Sequence, residues 1–118
     1  MEKLVIVTGA SRGIGAAIAH KLAADGYYVG CISRSGTAPA TGASLGTAEQ
    51  RLIPVAADVA CPDELRSAID GLCSRGLEVR GLINNAGLLA EARSAEMPLK
   101  QWDETMQVNA RSVVVGCQ

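Results

Sequence analysis

Aromatic side chains are almost missing from this 118-residue chain: Trp102, Tyr27 and Tyr28 are the whole set, and phenylalanine is absent. A stacking platform for single-stranded nucleic acid, which is built from aromatic rings, has almost nothing to be made of. Charge of one sign is also lacking. Eleven Lys and Arg stand against twelve Asp and Glu, a formal net charge of -1 with no block of like charge, so non-specific nucleic-acid binding through a basic surface is disfavoured. The apolar run Leu4 to Val7 after Glu2 and Lys3 falls far short of the roughly 18 residues of a membrane span. It also lacks the longer apolar region and cleavage site of a signal peptide. Cys31, Cys61, Cys73 and Cys117 form no C-x-x-C pair, and no histidine stands near them to complete a zinc site. No metal is expected, and four reduced thiols in a cytoplasmic protein without export signals are the plain reading.

What is present suits one folded domain, or a piece of one. Hydrophobic residues make up 48% of the chain and charged residues 19%, which is enough to bury a core. Leu4-Val5-Ile6-Val7 reads as a strand buried on both faces. Ile14, Ala17, Ile18 and Leu22 then recur at helical spacing, as an apolar stripe that stops at Asp25-Gly26. Further strands are expected at Tyr28 to Ser33, Leu52 to Val59 and Gly81 to Asn85. Pro62, Asp63 and Glu64 open a helix with the stripe Leu65, Ala68, Ile69 and Leu72. A last helix runs from Leu99 to about Val115. Three consecutive valines, Val113 to Val115, cannot all face one sheet on a helix, because successive side chains point about 100° apart. Strands alternating with helices predict an α/β fold, a doubly wound parallel sheet with helices on both faces. Ser35 to Gln50 breaks the rhythm: Gly36, Pro39, Gly42 and Gly46 lie among small polar residues, so residues 35–50 are expected to be loop-like in place of a full crossover helix.

The strongest chemical signal is Thr8-Gly9-Ala10-Ser11-Arg12-Gly13-Ile14-Gly15, placed where the first strand gives way to the first helix. Glycines let the backbone turn tightly and let a phosphate approach, and the free N–H groups of a helix N-terminus favour negative charge. The spacing differs from G-x-G-x-x-G, and the absence of Gly-Lys-Ser/Thr excludes a P-loop. The octet reads as a pyrophosphate cradle. His20, the single histidine, lies off the apolar stripe and reads as an exposed surface residue. Asn84 to Gly87 can serve to cross-link the sheet, since side-chain amides satisfy backbone groups.

The octet resembles the T-G-x-x-x-G-x-G cofactor motif of the short-chain dehydrogenase/reductase family. Asp58-Val59 looks like that family's acidic residue near the adenine, Asn84-Asn85-Ala86-Gly87 matches its N-N-A-G motif, and Asn109 is placed like its helix asparagine. Trp102 stands where members often carry an aromatic residue. The likeness covers nearly the whole chain and is nearest in look to bacterial β-ketoacyl-carrier-protein reductases. It implies a Rossmann-type fold and a nicotinamide cofactor held by Gly9, Ser11, Arg12, Gly13, Ile14, Gly15, Ser33, Arg34, Asp58, Val59, Asn85, Ala86 and Gly87. It also implies a small-molecule or carrier-bound carbonyl substrate, such as a 3-oxoacyl thioester, and a homo-oligomer.

Charge decides between the two nicotinamide cofactors. An acid at the end of the second strand would bond the ribose hydroxyls of NAD, whereas arginine accommodates the extra phosphate of NADP. This chain has Ser33-Arg34-Ser35 there and a second guanidinium at Arg12, so NADP(H) is favoured. The resembled family reduces ketones with a serine and a Tyr-x-x-x-Lys, and neither Tyr27 nor Tyr28 is followed four residues later by lysine. Asn109 would have a supporting role only. With about four strands where a complete doubly wound fold uses about six, the chain reads as the first half of an oxidoreductase, C-terminally truncated. A non-catalytic nucleotide-binding module, or a degenerate chain that pairs with a full-length relative, remains the alternative.

Overall fold

The computed structural model describes residues 2–39, 46–87 and 97–118. Four parallel strands, β1 (Lys3–Thr8), β2 (Tyr28–Ser33), β3 (Leu52–Ala56) and β4 (Glu78–Ile83), form one sheet in the order β3-β2-β1-β4. The first crossovers step outward from β1 to β3, and β4 then returns to the other side of β1. That reversal makes the carboxyl ends of β1 and β4 a topological switch point, where open α/β sheets leave a crevice.

Side chains alternate across β1, and each face of the sheet has its own core. Leu4, Ile6 and Ile32 pack with Leu65, Ala68 and Leu72 of helix α2 (Pro62–Cys73) and with Val115. Val5, Val7, Val29 and Cys31 pack on the other face with Ala19 and Ala23 of helix α1 (Gly13–Ala24), and with Ala48. Both central strands are therefore apolar at nearly every position, as the sequence pattern predicts.

Several expectations are corrected. The face of α1 that meets the sheet is Gly15, Ala16, Ala19 and Ala23, while Ile14 is 74% exposed and Ala17 points outward. Small side chains let the helix lie close to the strands, and only Ile18 and Leu22 of the expected stripe are packed against that core, both partly buried. Strand β3 stops at Ala56 rather than Val59, and β4 begins at Glu78 and ends at Ile83 rather than spanning Gly81 to Asn85. Charged residues mask the start of β4: Arg80 sits at the register irregularity opposite Leu4/Val5 and pairs with Glu78 at 2.8 Å. Among residues 35–50, a six-residue 3-10 helix spans Gly46–Arg51 and no regular element occupies 34–39, while 40–45 lie outside the described residues. The last helix is continuous but not uniform: α3 (Leu99–Met106) passes through a π-helical segment, Gln107–Arg111, into α4 (Ser112–Cys117). Of its three valines, Val115 is buried, Val113 half-buried and Val114 59% exposed.

Candidate functional site

Strand β1 delivers the chain into a turn with positive φ at Gly9 and Gly13, 65° and 61°. The Gly9 N–H donates to the Ile32 carbonyl at 2.8 Å, which ties the turn to the end of β2. A second tie comes from the segment that follows β4. The buried Thr8 hydroxyl accepts the N–H groups of Asn85 and Ala86, each at 3.1 Å, and Asn85 Nδ2 donates to the Gly9 carbonyl at 3.2 Å. A Cβ at Gly9 would lie 2.9 Å from Ala86 Cα, and one at Gly15 would overlap the Gly9 carbonyl oxygen and crowd the Asn85 amide. Strand end, glycine turn and N-N-A-G segment are thus one closely packed unit.

Helix α1 begins from this unit with its N-terminus undressed. Arg12 occupies the capping position in extended backbone, makes no side-chain cap bond, and no acid stands in the first turn. The first N–H groups of a helix have no acceptor within it, and their partial positive charge attracts an anion.

A cleft of about 1020 Å³ opens in front of that N-terminus, at the carboxyl ends of the strands. Gly9, Ser11, Arg12 and Gly13 form one wall, Ser33 and Arg34 a second, Asp58 and Val59 a third, and Asn85, Ala86 and Gly87 a fourth. Ile14, Gly15 and Asn109 do not line it. Gly15 is spent on packing, and Asn109, in the π-helical segment, holds its Oδ1 beside Gly87, 3.7 Å from where a Cβ there would sit. The Asn85 side chain serves the structural cross-link considered from the sequence, and the residue also faces the cleft. Asp58 makes a turn as well, its Oδ1 accepting the Ala60 N–H at 2.9 Å.

Sequence reasoning passed over Thr37, Ala57, Ala60, Glu104, Gln107 and Val108, which complete the lining with Ser35; Thr8 heads the octet, but its part as acceptor for Asn85 and Ala86 was not read. A hydroxyl at the buried end of an apolar strand signals a required partner, which is how that part of Thr8 could have been found. Gln107 and Val108 had no comparable signal, because a π-helical segment decides which way that stretch of helix faces.

The charge balance favours an anion at one end. Arg12 and Arg34 are exposed on the rim, and neither guanidinium makes a hydrogen bond or ion pair among the described residues. Glu104, on the far side, sits 3.8 Å from Lys100. Burial pushes the Cys31 thiol up to about 11, against a smaller opposing pull from its backbone bond to Ile53, and the thiol stays in the core behind the cleft. His20 is half-buried rather than exposed, its Nε2 lying 3.2 Å from the Pro39 carbonyl. Among the described residues no cluster of His, Cys, Asp and Glu could hold a metal ion, and no helix is long and apolar enough to cross a membrane.

Residues 3–118 match the family model for short chain dehydrogenases. The chain belongs to the short-chain dehydrogenase family. It is 34% identical over 116 residues to the 3-oxoacyl-acyl-carrier-protein reductase FabG of Staphylococcus epidermidis, covering 96% of this chain and 47% of that one. A blue fluorescent protein from a metagenomic library, in complex with NADPH, superposes with a TM-score of 0.81 at 34% identity over 98% of this chain and 49% of the other. An NADH-dependent reductase complexed with NAD gives 0.79 at 32% identity, with 98% and 49% covered. The chain spans about half the length of these three proteins. Its four-stranded parallel sheet with flanking helices is a Rossmann-like half of their fold.

Proposed function

We propose that this chain is the cofactor-binding half of an NADP(H)-dependent oxidoreductase that moves a hydride between nicotinamide and a carbonyl or alcohol substrate. The observation that carries the reading is the pairing of an uncapped helix N-terminus with two unpartnered guanidinium groups on the same cleft. The site fits a dinucleotide phosphate. Gly9 and Gly13 keep the backbone open to a pyrophosphate, Arg12 and Arg34 offer planar donors to a 2′-phosphate, and Ser33 stands where an acid would repel it. Asp58 and Val59 would border the adenine, and Asn85, Ala86 and Gly87 the far end of the cofactor. The bound cofactor would supply or accept the hydride.

Ketone reduction also needs a proton donor at the developing alkoxide. The side-chain amide of Asn109 does not give up a proton, so its part is confined to support beside Gly87. A 3-oxoacyl thioester is the substrate class we favour for the complete protein, on the strength of the FabG likeness. Exposed Leu99, Trp102, Met106 and Val114 support a homo-oligomer in that protein. Calorimetric titration with NADPH and NADH tests the cofactor assignment: tighter binding of NADPH is expected, and equal or reversed affinity overturns it.

A further inference from the structure

The segment that follows β2 carries Arg34, Ser35 and Thr37 into the cleft, yet no regular element holds it. Its side-chain hydrogen bonds are mostly local: the Ser33 hydroxyl accepts the Gly36 N–H at 3.1 Å and the Ser35 hydroxyl accepts the Thr37 N–H at 3.2 Å. Bonds of this kind tie the segment to itself and to the strand end it leaves, but to no other element. Gly36 does lie close against Ala56 of the edge strand β3. Beyond those from Ser33, the last residue of β2, one side-chain hydrogen bond among the described residues joins the body of the fold to this segment, and it comes from His20 in the middle of α1. A carbonyl can only accept, so the half-buried imidazole must present its Nε2–H to the Pro39 oxygen, 3.2 Å away. Pro39 is itself buried, a setting in which a hydrogen-bond partner matters most.

Resting on the reading of the cleft as an NADP(H) site, we propose that His20 is a positioning residue that sets the preference for NADPH over NADH. Its bond to Pro39 clamps the 34–39 segment to α1, the same helix whose N-terminus faces the pyrophosphate. One rigid element thereby fixes both the phosphate cradle and the donors that read the 2′-phosphate. NADH lacks that phosphate and makes little use of the clamped segment.

The test compares wild type, His20→Ala and His20→Gln, the last keeping an N–H donor, by fluorescence titration of the complete protein with NADPH and NADH. His20→Ala is expected to weaken NADPH by about five-fold, the worth of one hydrogen bond, and NADH by less than about two-fold. His20→Gln should recover most of the loss. Hydrogen exchange without cofactor supplies a readout independent of binding: the Gly36 and Thr37 amides should exchange faster in His20→Ala while those of β1 do not. An unchanged NADPH:NADH ratio in His20→Ala, or unchanged exchange at 36–37, overturns the proposal while leaving the cofactor assignment standing. A wild-type protein that binds NADH better than NADPH removes both.

Discussion

Helices α1 and α2 have the same length, twelve residues each, and cover opposite faces of one sheet, yet their N-termini are built in opposite ways. Helix α2 opens on Pro62 with Asp63 and Glu64 in its first turn, so its positive end is answered by its own side chains. Its buried face is the leucine stripe Leu65 and Leu72 with Ala68 between them. Neither helix has a side-chain cap bond, but α1 also lacks an acid in its first turn, carries a face of glycine and alanine, and exposes Ile14 at its start. The difference teaches where function is held. A self-contained helix supports the sheet, whereas one left open at its N-terminus and pressed close to the strands is, on the proposed reading, the one that receives the ligand.

The same substitution on the two helices should separate these roles most sharply. Gly15→Ala drives a Cβ into the Gly9 carbonyl and should destabilise the chain by about 3 kcal/mol and abolish NADPH binding, read by thermal melting and titration. Should Gly15→Ala melt like wild type and bind normally, the close packing of α1 is not what the cradle depends on.

The α1 face also buries a titratable group, whereas the fully buried members of the α2-side core are all aliphatic. Cys31 is 1% exposed and its thiol is raised to about 11 from 9.0. Below pH 9 both folded and unfolded chains keep this proton. Between pH 9 and 11 the unfolded chain loses it first, so stability falls with rising pH by about 2 to 3 kcal/mol from this group alone. Cys31→Ala, whatever its cost at neutral pH, should show a shallower alkaline decline in urea melts. Parallel declines for the two proteins would mean that the thiol does not resist ionisation.

Arg34→Asp replaces an attractive charge by a repulsive one at the proposed 2′-phosphate site, and should weaken NADPH about ten-fold with little effect on NADH. Equal losses for both cofactors would place Arg34 elsewhere on the nucleotide. The smallest effect belongs to α2. Gly71 is exposed there, and an added methyl group would meet nothing within 4 Å, so Gly71→Ala should raise stability by about 0.5 to 1 kcal/mol and leave cofactor binding alone. A Gly71→Ala melt at or below that of wild type would show that this part of α2 is less open than its surroundings suggest.

The contrast also explains what could be read from the sequence. Strands β1 and β2 are flanked by neighbours and covered on both faces, so their unbroken apolar runs announced them to within a residue. Helix α2 was equally plain, because its large apolar residues are the buried ones. Helix α1 misled: a stripe drawn through Ile14, Ala17, Ile18 and Leu22 favours bulk, but contact with the sheet falls to alanines small enough to let the helix approach. Strand β4 was displaced at its start, since an edge strand tolerates Glu78 and Arg80 among its first residues. The candidate site was largely legible, because glycine spacing and N-N-A-G report backbone demands that only a few residues satisfy. Glu104, Gln107 and Val108 were not, because no composition marks the π-helical segment that lies between α3 and α4.

The claim that α1 keeps its N-terminus for a phosphate is tested most directly by amide NMR of the 118-residue chain titrated with NADPH. The account predicts that the largest shift changes fall on the N–H groups of Gly13, Ile14 and Gly15, with a second set at Arg34 to Thr37. Saturable binding that leaves the Gly13 to Gly15 amides unmoved would contradict it.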